Sequence, residues 1–393
     1  MHSESIYLDY AATTPIRSEV LEAMMPFLTN NFGNPSAVYG PGRQARHVLE
    51  KCRAEVAELL GVGPAEILFT SGGSESNNTV LSQPFSHFVS SKIEHDSVRE
   101  PLLHKAAGEV SWVDANRFGL IEPAKLNEVL SAETGKREGT GLVSLMTVNN
   151  ELGSVNNIKA LSGVIHSMDY LFHTDAVQAG GIMDLATITP HVDYVSLSGH
   201  KIGAPKGIGV LVIRAGAPYQ PFVRGGSQEQ DRRAGTENVA SIVGFCRALR
   251  LASEERISAV ERLTALRNQL TLSLLRALPG QIQFNGPQDE TVAPHIVSMV
   301  CTDLNGAGLD GEMLILGLDI SGIYVSAGSA CSSGTVKANS VLIELGVEEK
   351  RAKGAIRISL NAAVTPKQIE LAVARIAETI NRMSGAPAEP KRV

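Results

Sequence analysis

Little in this chain invites a membrane, a metal or a disulfide. Its 393 residues contain no apolar run of the ~20 residues that a transmembrane helix needs. The start, Met1-His-Ser-Glu-Ser5, has no basic stretch followed by an apolar one, so no secretory leader is expected and the protein is expected in the cytoplasm. Cysteine is scarce: Cys52, Cys246, Cys301 and Cys331 are the only four, widely scattered. No Cys-x-x-Cys pair points to zinc, and a disulfide framework is not expected at this length. His2, His47, His87, His104, His166, His173, His191 and His295 show no metal-ligand spacing and read as surface or packing residues. Net charge is −6, which gives no general pull toward nucleic acid or anionic membranes. There is no Walker loop, no Gly-x-Gly-x-x-Gly fingerprint and no internal repeat. What remains is an ordinary globular composition, 43% hydrophobic and 19% charged, long enough for two or three domains with a sizeable core.

Periodicity organises that length. Ile6 to Pro15 reads as an extended arm, 18–28 as a helix, and Asn30 to Ser36 as a loop rich in Asn, Gly and Pro. Ala45, Val48, Leu49, Cys52, Val56, Leu59 and Leu60 keep a helical period over 43–60, with Gly61 as the stop. A strand over 66–70 runs into Ser71-Gly-Gly-Ser74 and a helix. Strands are then expected at 87–90, 110–113, 142–148, 170–173, 194–198 and 210–213, with helices at 97–105, 123–130 and 160–168. That alternation predicts an α/β domain with a mainly parallel or mixed sheet, whose ligands bind beyond the carboxyl ends of strands. Polar residues cluster there: Glu94-His95, Asn149-Asn150-Glu151 and Asp175 to Gln178. A long helical region over 239–277 carries Cys246 on its apolar side and a polar break, Ser253 to Arg256. A smaller α+β unit follows, so the expected division is a large domain over 16–260 and a small one made of 1–15 and 261–393.

Lys201 sits in Ser198-Gly-His-Lys201, between two apolar runs and beside a Gly/Pro-rich turn. Lysine amines form Schiff bases with carbonyl compounds, and pyridoxal phosphate is a common partner. Taken alone, this stretch favours a surface lysine in a turn, and Ser71 to Asn78 a plain strand-to-helix turn capped by Ser74. A pyridoxal phosphate site needs a phosphate cradle, and Gly73 and Ser74 open a helix whose free N–H groups suit an anion. It also needs a carboxylate for the ring nitrogen, for which Asp175 stands at a strand end; Gln178 follows three residues on, and His95 is a candidate to stack on the ring.

The chain resembles the cysteine desulfurases. The resemblance rests on Tyr7-Leu-Asp-Tyr-Ala-Ala-Thr-Thr-Pro15, Gly33-Asn-Pro-Ser36, Thr70-Ser-Gly-Gly-Ser-Glu-Ser-Asn77, Glu94-His95, Asn149-Asn-Glu-Leu-Gly153 and His173-Thr-Asp-Ala-Val-Gln178. Gly199-His-Lys-Ile202, Gly225-Gly-Ser-Gln-Glu229, Arg233-Ala-Gly-Thr-Glu-Asn238, Ser326-Ala-Gly-Ser-Ala-Cys331 and Ile356-Arg-Ile-Ser359 continue it in order. It covers nearly the whole chain and implies the NifS/IscS-like branch of class V: fold-type I pyridoxal phosphate enzymes, with a large domain built on a seven-stranded, mainly parallel sheet and a smaller α+β domain. These are homodimers that take sulfur from L-cysteine and leave L-alanine. The resemblance implies that Lys201 carries the cofactor, Asp175 meets its ring nitrogen, Gln178 meets its ring oxygen and His95 stacks on the ring. Gly73, Ser74, Ser198 and His200 would hold the phosphate, joined by Thr236 of the partner subunit. Asn34, Asn150 and Arg357 would bind the substrate carboxylate. Cys331 would take the sulfur as a persulfide and pass it to an acceptor protein such as an iron–sulfur scaffold or a thiolation protein.

The surroundings of Cys331 (Ser329, Ala330, Ser332, Ser333 and Gly334) are small and mostly polar. They predict an exposed, mobile loop, as a thiolate serving both a buried cofactor and an outside acceptor requires. Cys331 to Lys337 resembles the long-loop group of the family. Gly73-Ser74 departs from the Ala-Thr often found there, Gly199 from a common alanine, and Leu152 to Asn157 from the usual pattern. None of these removes a chemical group. Two other readings remain open at this point: another enzyme of the same fold, such as a selenocysteine lyase or an aminotransferase, and a binding or scaffold protein that keeps the fold without catalysis.

Overall fold

The computed structural model of the chain describes residues 5–133, 139–327 and 338–385. In chain order the first part contains β1 (Ile6–Tyr7), α1 (Ser18–Thr29), α2 (Gly40–Leu60), β2 (Ile67–Thr70), α3 (Gly73–Leu81), β3 (His87–Ser90), α4 (Asp96–Leu103), β4 (Val110–Trp112), α5 (Pro123–Glu133), β5 (Gly141–Ser144), α6 (Ile158–Ser167), β6 (Tyr170–Asp175), β7 (Tyr194–Ser198) and β8 (Gly209–Ile213). Then come α7 (Gln228–Asp231), α8 (Val239–Ala277), β9 (Ile282–Asn285), β10 (Ile296–Cys301), α9 (Gly311–Ile320), β11 (Ile323–Tyr324), α10 (Ser340–Glu344), α11 (Glu349–Ala352), β12 (Ala355–Ser359) and α12 (Pro366–Met383).

Among the described residues, seven strands form the main sheet in the order β2-β8-β7-β6-β5-β3-β4. All neighbours run parallel except β8, which is antiparallel to both β2 and β7. Helices cover both faces, so most strands are buried throughout and read as continuous apolar runs. Side chains alternate across the pleat. Phe69, Val89, Val143, Phe172, Val195 and Val210 face one core, shared with α2, α5, α6 and the start of α8. Leu68, Phe88, Leu142, Tyr194 and Leu211 face a second core with α3 and α4.

The remaining strands build a separate core. β10 lies between β12 and β9, antiparallel to both, while β1 pairs in parallel with β11. Ile6 and Leu8 of the N-terminal arm are buried there with α9, α12 and Leu263, Leu266, Leu270 and Leu274 of α8. The same unbroken helix gives Phe245, Cys246 and Leu249 to the large core. No described helix is long and apolar enough to cross a membrane.

Element positions follow the sequence reading closely, with two instructive differences. Helix α2 starts at Gly40 rather than at 43, because Pro41 in its first turn has no N–H to leave unpaired. Strand β5 stops at Ser144 although the apolar run continues. The amide of Met146 donates to Glu94 Oε1 (2.9 Å) instead of to a strand, so pairing on that side ends there.

Candidate active site

A cavity of about 430 Å³ opens at the carboxyl ends of the central strands. It is lined by Gly73, Ser74, His95, Asn150, Asp175, Gln178, Ser198, His200, Lys201 and Arg357, all singled out in the sequence, and also by Ala11, Ala12, Glu94 and Glu151. Asn34 and Thr236 are exposed and stand outside that lining. Cys331 lies outside the described residues.

The anion cradle comes from β2 and α3. Gly72, with φ +152°, is the residue before the helix, in a conformation that an L side chain rarely adopts. It is this glycine, not Ser74, that caps α3. A Cβ on Gly209 would lie 2.6 Å from the Gly72 Cα, so a bare glycine in β8 lets the turn settle onto the sheet. The N–H groups of the first helical turn are thereby left for a ligand. The His200 imidazole is beside it, its Nδ1 3.1 Å from Thr13 Oγ1. Burial, then the Lys201 and Lys206 charges, push its pKa down to about 4. A neutral imidazole still offers a donor to an anion.

Lys201 ends a short turn after β7 and reaches back to the N-terminal arm. Its Nζ donates to Ala11 O (2.6 Å) and Ala12 O (2.9 Å). Burial, reinforced by Arg357, lowers its pKa to about 8 against partial opposition from Asp175 and Asp9. The amine is thus far closer to its neutral, nucleophilic form at physiological pH than an ordinary lysine.

Asp175 closes β6, and a polar relay fixes it. Its Oδ1 accepts from the Val177 amide (3.0 Å) and its Oδ2 from Asn77 Nδ2 (2.8 Å). Asn77 Nδ2 also donates to Ser97 Oγ (2.8 Å), and Ser97 Oγ lies 2.8 Å from His95 Nδ1. The Ser97 amide donates to that same Nδ1 (3.1 Å). An Nδ1 that accepts carries no proton, so the neutral His95 ring holds its hydrogen on Nε2. Asn77, fully buried on α3, therefore joins the Asp175 carboxyl, through Ser97, to the histidine. Asn77 was legible only as a letter in a motif; nothing in its spacing announced this role.

Arg357, 6% exposed on β12, forms the far wall. It donates to Asn150 O (2.9 Å), Glu151 Oε1 (3.0 Å) and Asp9 Oδ1 (3.0 Å), and its buried Nε has no partner among the described residues. Two carboxyl groups and a carbonyl hold the guanidinium at the cavity, in a frame that sequence spacing did not suggest. Glu94 is buried beside it all, with no partner for Oε2 among the described residues. Burial raises its pKa well above the usual carboxyl range, with Asp175 adding to the effect. Its burial in the lining of the site thus favours the protonated form over the charged one.

These features fit pyridoxal phosphate: an amine of depressed pKa, a helix start with no side-chain cap for a phosphate, and a fixed carboxyl for a ring nitrogen. The comparisons with known proteins agree. Residues 6–371 match the aminotransferase class-V family. The chain is similar to the cysteine desulfurase IscS of Dictyoglomus turgidum, 40% identical over 373 residues that take in 93% of this chain and 91% of the relative. Among solved structures, a NifS-like protein superposes with a TM-score of 0.86 at 33% identity, over 96% of this chain and 100% of the other. SspA in complex with cysteine superposes with a TM-score of 0.75 at 29% identity, over 91% and 99%.

Proposed function

The chain belongs to the aminotransferase class-V family, and on that premise we propose how its residues divide the work of a cysteine desulfurase. The protein is a pyridoxal phosphate enzyme that removes sulfur from L-cysteine and leaves L-alanine. When bound, pyridoxal phosphate supplies an electron sink that acidifies the α-proton of the amino acid. Gly73, Ser74, Ser198 and His200 would hold its phosphate, Asp175 its ring nitrogen and Gln178 its ring oxygen, with His95 over the ring. Lys201 would carry the cofactor and, once freed, move the proton at the substrate Cα. Its depressed pKa suits that task. Arg357, Asn150 and Asn34 would take the substrate carboxylate. The Cys331 thiolate would attack the substrate sulfur, an S–S bond forming as the Cβ–S bond breaks, which leaves the persulfide on the enzyme.

One observation carries this reading: the Lys201 amine and the Asp175 carboxyl line one cavity at the start of α3, with Arg357 across from them. The further assignments are part of the same proposal. The division at residue 260 is supported by the separate cores that α8 joins. A homodimer is supported by Thr236, exposed and away from its own cavity, and by the apolar exposure of Leu28, Phe32, Val38 and Tyr39. The sulfur acceptor would be a scaffold or thiolation protein in the cytoplasm. The direct test is alanine and sulfide formed from L-cysteine with a thiol reductant present, compared with L-selenocysteine. Preference for the selenium substrate would favour a selenocysteine lyase, and no alanine from either would refute the reading.

A further inference from the structure

We propose that His295 is a positioning residue for the cofactor's ring oxygen, acting through Gln178; this rests on the pyridoxal phosphate reading above. His295 lies just before β10, yet its side chain reaches the turn after β6, where Nε2 sits 3.3 Å from Gln178 Oε1. Gln178 Nε2 donates to Ala11 O (2.9 Å), the same carbonyl that receives Lys201 Nζ.

The polarity of this chain follows from what each atom can do. A carbonyl oxygen only accepts, so Gln178 presents its NH₂ group to Ala11 and its oxygen to His295. That oxygen also only accepts, so His295 carries its proton on Nε2. Burial, then Arg357 and Lys201, lower the His295 pKa to about 4. The ring is thus neutral and Nδ1 bare, in keeping with a buried Nδ1 that has no partner among the described residues. With one amide hydrogen on Ala11, the second remains for a ligand in the cavity that Gln178 lines.

Packing alone does not fix this orientation. A second cavity, of about 550 Å³, borders His295, Gln178 and Lys201 on the other side. An amide free to turn over would offer the ring oxygen a carbonyl for part of the time, and a carbonyl repels an anionic oxygen. Ala11 O, by accepting from Gln178 Nε2, opposes that turn from one side, and His295 opposes it from the other by supplying a donor to Gln178 Oε1. It is a histidine that the sequence alone assigned to the surface or to packing.

The test titrates the apoenzymes of the parent, His295→Leu, His295→Asn and His295→Gln with pyridoxal phosphate, recording the dissociation constant and the position of the visible absorption band. Gln places its amide nitrogen near the Nε2 position, whereas Asn is shorter and Leu has no donor. The expected result is binding weakened by about fivefold in the Leu and Asn variants, the size of one neutral hydrogen bond, with a displaced band. His295→Gln should match the parent in both readouts. Equal behaviour of all four proteins, or an equal loss in all three variants, would overturn the proposal. A parent that takes up no cofactor would instead overturn the functional reading beneath it.

Discussion

Lys201 titrates far from where a lysine ordinarily does, and that makes its chemistry measurable. Burial and Arg357 lower its pKa from 10.5 to about 8. Reaction of the apoenzyme with pyridoxal phosphate should therefore rise with pH, be half-maximal near pH 8 and level off about one unit above it; a rate still climbing at pH 10 would refute the assignment. Glu94 gives a stability signature. Its pKa is raised in the folded state, so the native protein retains a proton that the unfolded chain releases above about pH 4. Folding is thus penalised at neutral pH and not in acid. Glu94→Gln, neutral at every pH, should raise the urea midpoint at pH 8, with the gain shrinking toward pH 4. With Asp175 in its proposed place at the ring nitrogen, Asp175→Asn would remove the charge there and should cut alanine formation by about 100-fold. Lys201, Asp175, Gln178 and His95 were legible because each stands at the end of an apolar run, where α/β sheets bind ligands. Asn77, Ala11 and Glu151 were not, because their roles depend on partners that only folding supplies: Asp175 lies 98 positions from Asn77 and Arg357 lies 206 from Glu151.

Among the elements, the segment from α7 to Asn238 joins a buried ion pair to backbone strain. Arg53 of α2 and Glu229, 1% and 2% exposed in their side chains, pair at 2.7 Å, and Glu229 also accepts from the Phe69 amide of β2. Glu229, Gln230 and Asp231 all have positive φ, at 50°, 59° and 64°, which is costly for residues with a Cβ. Arg233 pairs with Glu75 of α3 at 3.0 Å. The loop that bears Thr236 is thus tied both to the strand before the anion cradle and to its helix. Arg53→Met strands a buried carboxyl and should destabilise the protein by about 3–5 kcal/mol, read from urea unfolding. The strain was invisible in the sequence, since Gln230 and Asp231 carry no signal for a left-handed backbone. The regular elements were visible. Helix α2 announces itself by its apolar spacing and by Gly61, which ends it with φ 66°, and the strands by short apolar runs between polar turns. Only where a distant side chain takes a strand's amide, as Glu94 does at Met146, did an apolar run mislead.

For the whole molecule, the proposed homodimer would bring Thr236, exposed in its own chain, to the partner's site. Lys201→Ala and Thr236→Ala proteins, each impaired alone, should recover activity when their subunits are mixed and exchanged. One site of the mixed dimer then has an intact lysine and an intact threonine; no recovery would mean that Thr236 serves its own chain. The most direct test of the central claim, that Lys201 activates cysteine and Cys331 receives its sulfur, is a single turnover followed by peptide mass mapping. The holoenzyme is given L-cysteine without reductant, then alkylated and digested. The account predicts one added sulfur atom on the Cys331 peptide, with one alanine released per sulfur retained and neither product from Lys201→Ala. Added sulfur on Cys52, Cys246 or Cys301 instead, or alanine formed at full rate by Cys331→Ser, would contradict it.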